Sequence, residues 1–277
     1  MQRKISFYIS LLLVTTVFFI PGCKNKSNPE IEIAVTNSYL QCAVKDLYGD
    51  ERGVFCLAPP GMCPGHFDIS PLQVNQLNNC RILLLFDFQE KIENSLAGLK
   101  ERGLKTSLIK TFPGMCIPEV YLATCHDVCN ALSAEFPEKK NIFEQRLTVI
   151  DERMKKLGDN LHGEIQKAGL GSVRVVASGH QSEFVNWLGL ETVSMFSGSD
   201  TETAFNINEC INKAKEQGVK FIIANKQEGT YLADSLADRL DVNTVIFSNF
   251  PESTEGLTGF DELLRQNLNT LIEAARK

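Results

Sequence analysis

The strongest constraint in this 277-residue chain is one uninterrupted amphipathic period near its middle. Phe143, Leu147, Ile150, Met154, Leu157, Leu161 and Ile165 recur every three or four residues between positions 138 and 168, and Gly169 follows as a stop signal. The spacing predicts a single helix of roughly 30 residues, about 45 Å long at 1.5 Å per residue. A helix of that length runs along two lobes rather than sitting inside one. Short apolar runs flank it in two sets. The first set is Ile31 to Thr36, Val54 to Ala58, Arg81 to Phe86 and Lys105 to Lys110; the second is Val173 to Ser178, Thr192 to Phe196, Val219 to Ala224 and Thr244 to Ser248. Each is followed by a loop or a helix-like segment, as buried parallel strands are. The expected fold class is therefore α/β: two βα lobes, each with a mainly parallel four-stranded sheet, joined by one long α-helix. The lobes are placed at 31–137 and 169–277, with the linking helix at 138–168. A helical link permits modest rocking and resists wide hinge opening.

The N-terminus carries a different signal. Arg3 and Lys4 precede an uncharged stretch from Ile5 to Ile20, short of the ~20 residues that cross a bilayer and suited to the apolar region of a secretory leader. Residues 1–22 are expected to be a signal peptide. Ile20-Pro21-Gly22-Cys23 resembles the lipobox of bacterial lipoproteins, which implies acylation at Cys23. Residues 23–30 then form a polar tether between lipid and fold. The body is expected outside the cytoplasm, on the periplasmic or cell-surface side, anchored to a bacterial membrane that it does not cross. The 28 Lys and Arg against 34 Asp and Glu leave a net charge of −6, so no basic field attracts nucleic acid. Setting Cys23 aside, the other cysteines of an exported chain favour disulfides, although their pairing is not encoded in spacing.

In doubly wound sheets ligands bind beyond the carboxyl ends of the strands. Four polar residues follow strands in that position: His66 and Glu119 in the first lobe, His180 and Asn249 in the second. Two imidazoles, a carboxylate and an amide oxygen arriving at one edge of two facing lobes make a metal cage in an interlobe cleft. Two other classes compete. Gly179-His180-Gln181-Ser182-Glu183 has part of a hydrolase nucleophile elbow, but it lacks the last glycine and a triad histidine. A metal-independent adhesin or structural lipoprotein is the other alternative.

Longer stretches carry a family resemblance. Leu57-Ala58-Pro59-Pro60-Gly61 leads to His66-Phe67-Asp68-Ile69-Ser70-Pro71; Pro118-Glu119-Val120-Tyr121-Leu122 and Ser178-Gly179-His180, with Phe184 and Gly189-Leu190, follow; Ile246-Phe247-Ser248-Asn249 closes the series. Together they resemble the substrate-binding lipoproteins of zinc and manganese ABC importers, over essentially the whole chain after the leader. The resemblance implies that His66, Glu119, His180 and Asn249 are the metal ligands. Glu119 stands where the family usually carries histidine, and Asn249 where it presents aspartate. Zinc is favoured for such a set, with manganese or iron as alternatives. The His-rich capture loop of some zinc importers is absent, since the chain has only four histidines. The implied partners are the permease and ATPase of an importer, because the chain has no phosphate-binding loop of its own. It is expected to be a monomer and not an enzyme. Gly61-Met62-Cys63 is echoed by Gly114-Met115-Cys116. If His66 and Glu119 share a metal, Cys63 and Cys116 are neighbours, as a disulfide or as soft ligands; the alternative is that they are separate buried or otherwise paired cysteines. His126, His162, Cys125, Cys129 and Trp187 read as packing or helix-surface residues.

Overall fold

A computed structural model describes residues 32–49, 53–58, 68–198, 202–252 and 259–276. The leader, Cys23, the tether, Cys63 and His66 lie outside the described residues. The first lobe contains β1 (Ile33–Val35), α1 (Ser38–Tyr48), β2 (Val54–Cys56), α2 (Pro71–Leu77), β3 (Ile82–Phe86), α3 (Glu90–Ser95), α4 (Ala97–Lys100), β4 (Lys105–Ile109) and α5 (Pro118–Glu135). The linking helix is α6 (Lys140–Lys167). The second lobe contains β5 (Arg174–Ser178), α7 (Ser182–Trp187), β6 (Glu191–Phe196), α8 (Ala204–Gln217), β7 (Phe221–Asn225), α9 (Tyr231–Leu240), β8 (Asn243–Phe247) and α10 (Phe260–Ala275). Both sheets are parallel and share one order, β2-β1-β3-β4 and β6-β5-β7-β8.

Alternation along the central strands sorts their side chains between two environments. Ile82, Leu84 and Phe86 of β3, with Phe221 and Ile223 of β7, enter one continuous core shared by both lobes. Leu83 and Leu85 face a smaller cluster belonging to the first lobe, and Ile222 and Ala224 one belonging to the second. Strands covered on both faces read as unbroken apolar runs, and all five residues of β3 and of β7 are buried. The outer strands differ from the buried reading of their sequence. Ile109 of β4 and Val245 of β8 enter the shared core, whereas Leu108 and Ile246 are exposed. Both strands end their sheets, where a neighbouring strand is missing on one side.

The long helix has 28 residues, about 42 Å of rise. It begins two residues later than its periodicity predicts, because a 3-10 turn at Pro137–Lys139 comes first. Its buried stripe is Phe143, Ile150, Met154, Leu157, Gly158, Leu161 and Ile165, with Leu147 partly buried. Gly158 is a crossing point. A Cβ built there would lie 3.3 Å from Trp187 Cζ2 in the second lobe and 3.9 Å from Pro118 Cγ in the first. A residue with no side chain lets an element of each lobe rest on the same turn of the spine.

Two further contacts lock the lobes together. Phe260, at the start of α10, stacks on Tyr121 of α5 with centroids 3.9 Å apart and planes 4° from parallel, and it meets Tyr39 of α1 edge-on at 5.7 Å. Arg153 of α6 makes a two-pronged contact with Asp46 of α1, one arm at 3.0 Å, and its Nε lies 3.4 Å from Asp261 of α10. Tyr121 donates its hydroxyl to the same Asp46 at 2.7 Å. An aromatic stack and a shared arginine thus hold both lobes to the middle of the helix.

Candidate metal centre

The loops at the carboxyl ends of β4, β5, β7 and β8 meet along the seam between the lobes. The β4 loop reaches across first. Tyr39 donates its hydroxyl to Met115 O at 2.8 Å, and Ile117 closes a turn onto Gly114 O at 2.7 Å. Gly114 has φ +78°, a backbone conformation that glycine adopts without strain; a Cβ there would strike Ile117 and approach Glu183 of α7 to 3.2 Å. The loop is therefore pressed against the second lobe. Cys116 at its end is fully buried, and its thiol donates to Ser248 O at 3.2 Å and to Asn249 Oδ1 at 3.4 Å. Burial pushes this thiol far up from its ordinary range. Asn267 of α10 completes the contact, donating to Ser248 O at 2.9 Å.

This geometry gives Cys116 a different partner from the one its sequence echo indicates. Cys116 is a thiol bonded across the seam, and no disulfide joins the described cysteines. The even cysteine count therefore does not translate into a disulfide framework here. Cys125 and Cys129 are buried on the core face of α5, as their spacing on a helix indicates.

The four expected ligands occupy unlike positions. Glu119 is exposed in the first turn of α5, immediately after Pro118. His180 follows β5 in an exposed turn, with its backbone N–H 3.2 Å from Ser178 Oγ. Asn249 follows β8 and is 5% exposed; its Oδ1 accepts from Gln181 Nε2 at 3.0 Å as well as from Cys116. Asn249 is tied to the His180 turn, since its Nδ2 lies 3.5 Å from His180 O. His180 and Asn249 are thus neighbours, joined through backbone and the buried Gln181. Among the described residues no group of three or more His, Cys, Asp and Glu side chains is close enough to hold an ion.

One acidic residue absent from the sequence reading stands at the seam. Glu228 ends the short turn Lys226–Glu228 after β7. One carboxylate oxygen accepts from Ser178 Oγ, and the other lies 3.6 Å from His180 Nε2. The four polar residues read from the sequence include none after β7, so that reading passes over it.

The competing readings meet plain geometry. Ser182, the would-be nucleophile, is buried and donates its hydroxyl to Gly179 O at 3.1 Å. His162 Nε2 contacts Trp187 O at 2.8 Å with its ring 4.2 Å from the indole, so it fastens α6 to α7. No helix among the described residues is long and apolar enough to cross a membrane.

Comparison with known proteins agrees with this architecture. The family model ZnuA, described as the periplasmic component A of the zinc-uptake complex, matches residues 118–274. A Thermotoga maritima protein, named provisionally as metal-binding, is 25% identical over 243 residues, 84% of this chain and 88% of its own. Among solved structures, a Cd-bound periplasmic metal-binding protein from Candidatus Liberibacter asiaticus superposes with a TM-score of 0.74 at 14% identity, covering 88% of this chain and 98% of that one. A crystal structure of ZnuA gives a TM-score of 0.70 at 15% identity, over 88% and 99%.

Proposed function

The chain belongs to the ZnuA family of periplasmic metal-uptake components, and from that premise we propose that it captures a divalent transition metal in the cleft between its lobes and releases it to an ABC permease driven by a partner ATPase. Members of this family are binding proteins of transport systems, not enzymes. The observation that carries the reading is the closure of the seam by Cys116, which brings the loops after β4, β5 and β8 within reach of one another. His66 and Glu119 from the first lobe and His180 from the second are the proposed ligands, with Asn249 as the fourth. Zinc is the favoured cargo, manganese or iron the next, since two imidazoles and a carboxylate suit zinc with an open or water-filled position. Export by the leader and acylation at Cys23 would hold the protein at a bacterial membrane beside its permease, as a monomer.

The fold suits capture by small movements. Lobes that share a core and a stiff helix keep the ligand loops near their final places, which lowers the ordering cost of binding. Ligands must shed protons to bind, so affinity should fall on acidification between about pH 7 and pH 5. The decisive experiment is elemental analysis of protein purified without added metal, followed by titration of the stripped protein. One tight equivalent is expected, lost in a His66→Ala/His180→Ala variant. Unchanged binding by that variant would overturn the proposal.

A further inference from the structure

Resting on the metal-capture reading, we propose that Glu228, rather than Asn249, is the oxygen ligand that the second lobe contributes to the metal. A metal held about 2.0–2.2 Å from an imidazole nitrogen and a carboxylate oxygen, in tetrahedral geometry, separates those two atoms by about 3.4 Å. His180 Nε2 and Glu228 Oε1 are 3.6 Å apart before any ion is added. The pair already has the span of one edge of a coordination shell. The rest of the carboxylate is fixed, because Ser178 Oγ donates to Oε2 and leaves Oε1 as the end aimed at the imidazole. Outer hydrogen bonds of this kind are what orient metal ligands. The His180 side chain is 67% exposed and that of Glu228 21%, so both are reachable from solvent.

Asn249 is placed for another task. Its amide oxygen is buried and already accepts from Gln181 and Cys116, so ligation there would compete with two contacts that close the seam. As a neutral group it also supplies no charge. Glu228 brings a negative charge toward a divalent cation, which Asn249 cannot. The structure therefore separates two roles on the second lobe: Asn249 seals the seam, and Glu228 faces the cargo.

The test uses the full mature protein, stripped of metal, as wild type, His180→Ala and Glu228→Gln. Zn2+ affinity is measured by chelator competition, and the absorption spectrum of the Co2+ form reports the ligand set. Glu228→Gln should weaken Zn2+ binding at least tenfold, the lower range for losing even an outer partner of a ligand, and should shift the Co2+ bands while the metal-free protein melts as wild type does. Wild-type affinity with an unshifted Co2+ spectrum would overturn the assignment. Weakened binding with an unshifted spectrum would also overturn it, leaving Glu228 as a positioning residue for His180. Failure of wild type to bind metal, or full binding by His180→Ala, would instead sink the metal-capture reading.

Discussion

Replacing Arg153 by methionine tests whether the linking helix holds the lobes by charge as well as by packing. Methionine keeps much of the apolar stem and removes the guanidinium. What remains is Asp46 and Asp261, whose side chains are 18% and 24% exposed, facing each other across the gap. Breaking one partner out of a buried ion pair costs about 3–5 kcal/mol, and an exposed pair is worth about 0–1. Arg153 is itself 36% exposed, so the screened value falls between these limits, about 2 kcal/mol at pH 7. For a chain of this size that is a fall in Tm of about 4–8 °C. The dependence on pH identifies the source. Burial pushes the Asp261 carboxyl up and Asp46 adds to the rise, while Arg153 opposes it. A carboxyl raised in the folded state makes a contribution that is full below its unfolded pKa and is lost as pH rises through the folded one. Without Arg153 the rise is larger, so the variant's deficit should be full near pH 7 and smaller near about pH 4, where carboxyls begin to protonate. Urea denaturation at both pH values measures it, with Arg153→Met/Asp261→Asn as the control that relieves the repulsion. An equal deficit at both pH values, or a double variant no more stable than the single one, would refute the electrostatic account.

Two other outcomes follow from the same kind of reasoning. Burial pushes the Glu135 carboxyl up, but Lys105 at 2.6 Å and Arg81 at 3.0 Å outweigh it and hold the group below the usual range. Its contribution is present above its unfolded pKa and lost as pH falls through the folded one, so Glu135→Gln should cost about 1 kcal/mol near neutrality and progressively less in acid; a cost that persists in strong acid would point to packing instead. Burial also pushes Cys56 up to about 12, Cys80 up to about 11 and Cys116 higher still. Alkylation at about pH 8 should therefore be slow at these three in the native protein and prompt in urea, as peptide mass mapping would report, and rapid native labelling of Cys116 would contradict its place in the seam.

Periodicity and strand-length apolar runs were enough to lay out eight strands and the long helix, because burial imposes those patterns locally. Strand order was not legible, since every run in a doubly covered sheet looks alike whichever neighbour it pairs with. Leu108 and Ile246 show the limit: an apolar side chain on an outer strand reads as core until the sheet's rim is known. The site divides in the same way. His180 follows its strand directly and could be found by position, whereas the duty of Asn249 depends on Gln181 and Cys116, which lie 68 and 133 residues away. The echo of the two Gly-Met-Cys loops drew Cys116 toward Cys63, while its hydrogen-bond partners are in the opposite lobe. Glu228 became visible only when the turn after β7 brought its carboxylate beside the imidazole.

The glycine crossing on the spine also gives the molecule a built-in optical reporter. Trp187 is the chain's single tryptophan; it rests on Gly158 and beside His162, one short helix after His180. A shift of α7 against α6 of even a few tenths of an ångström would change the indole's contact with that imidazole, so the intrinsic fluorescence of unlabelled protein should register lobe movement as cargo arrives.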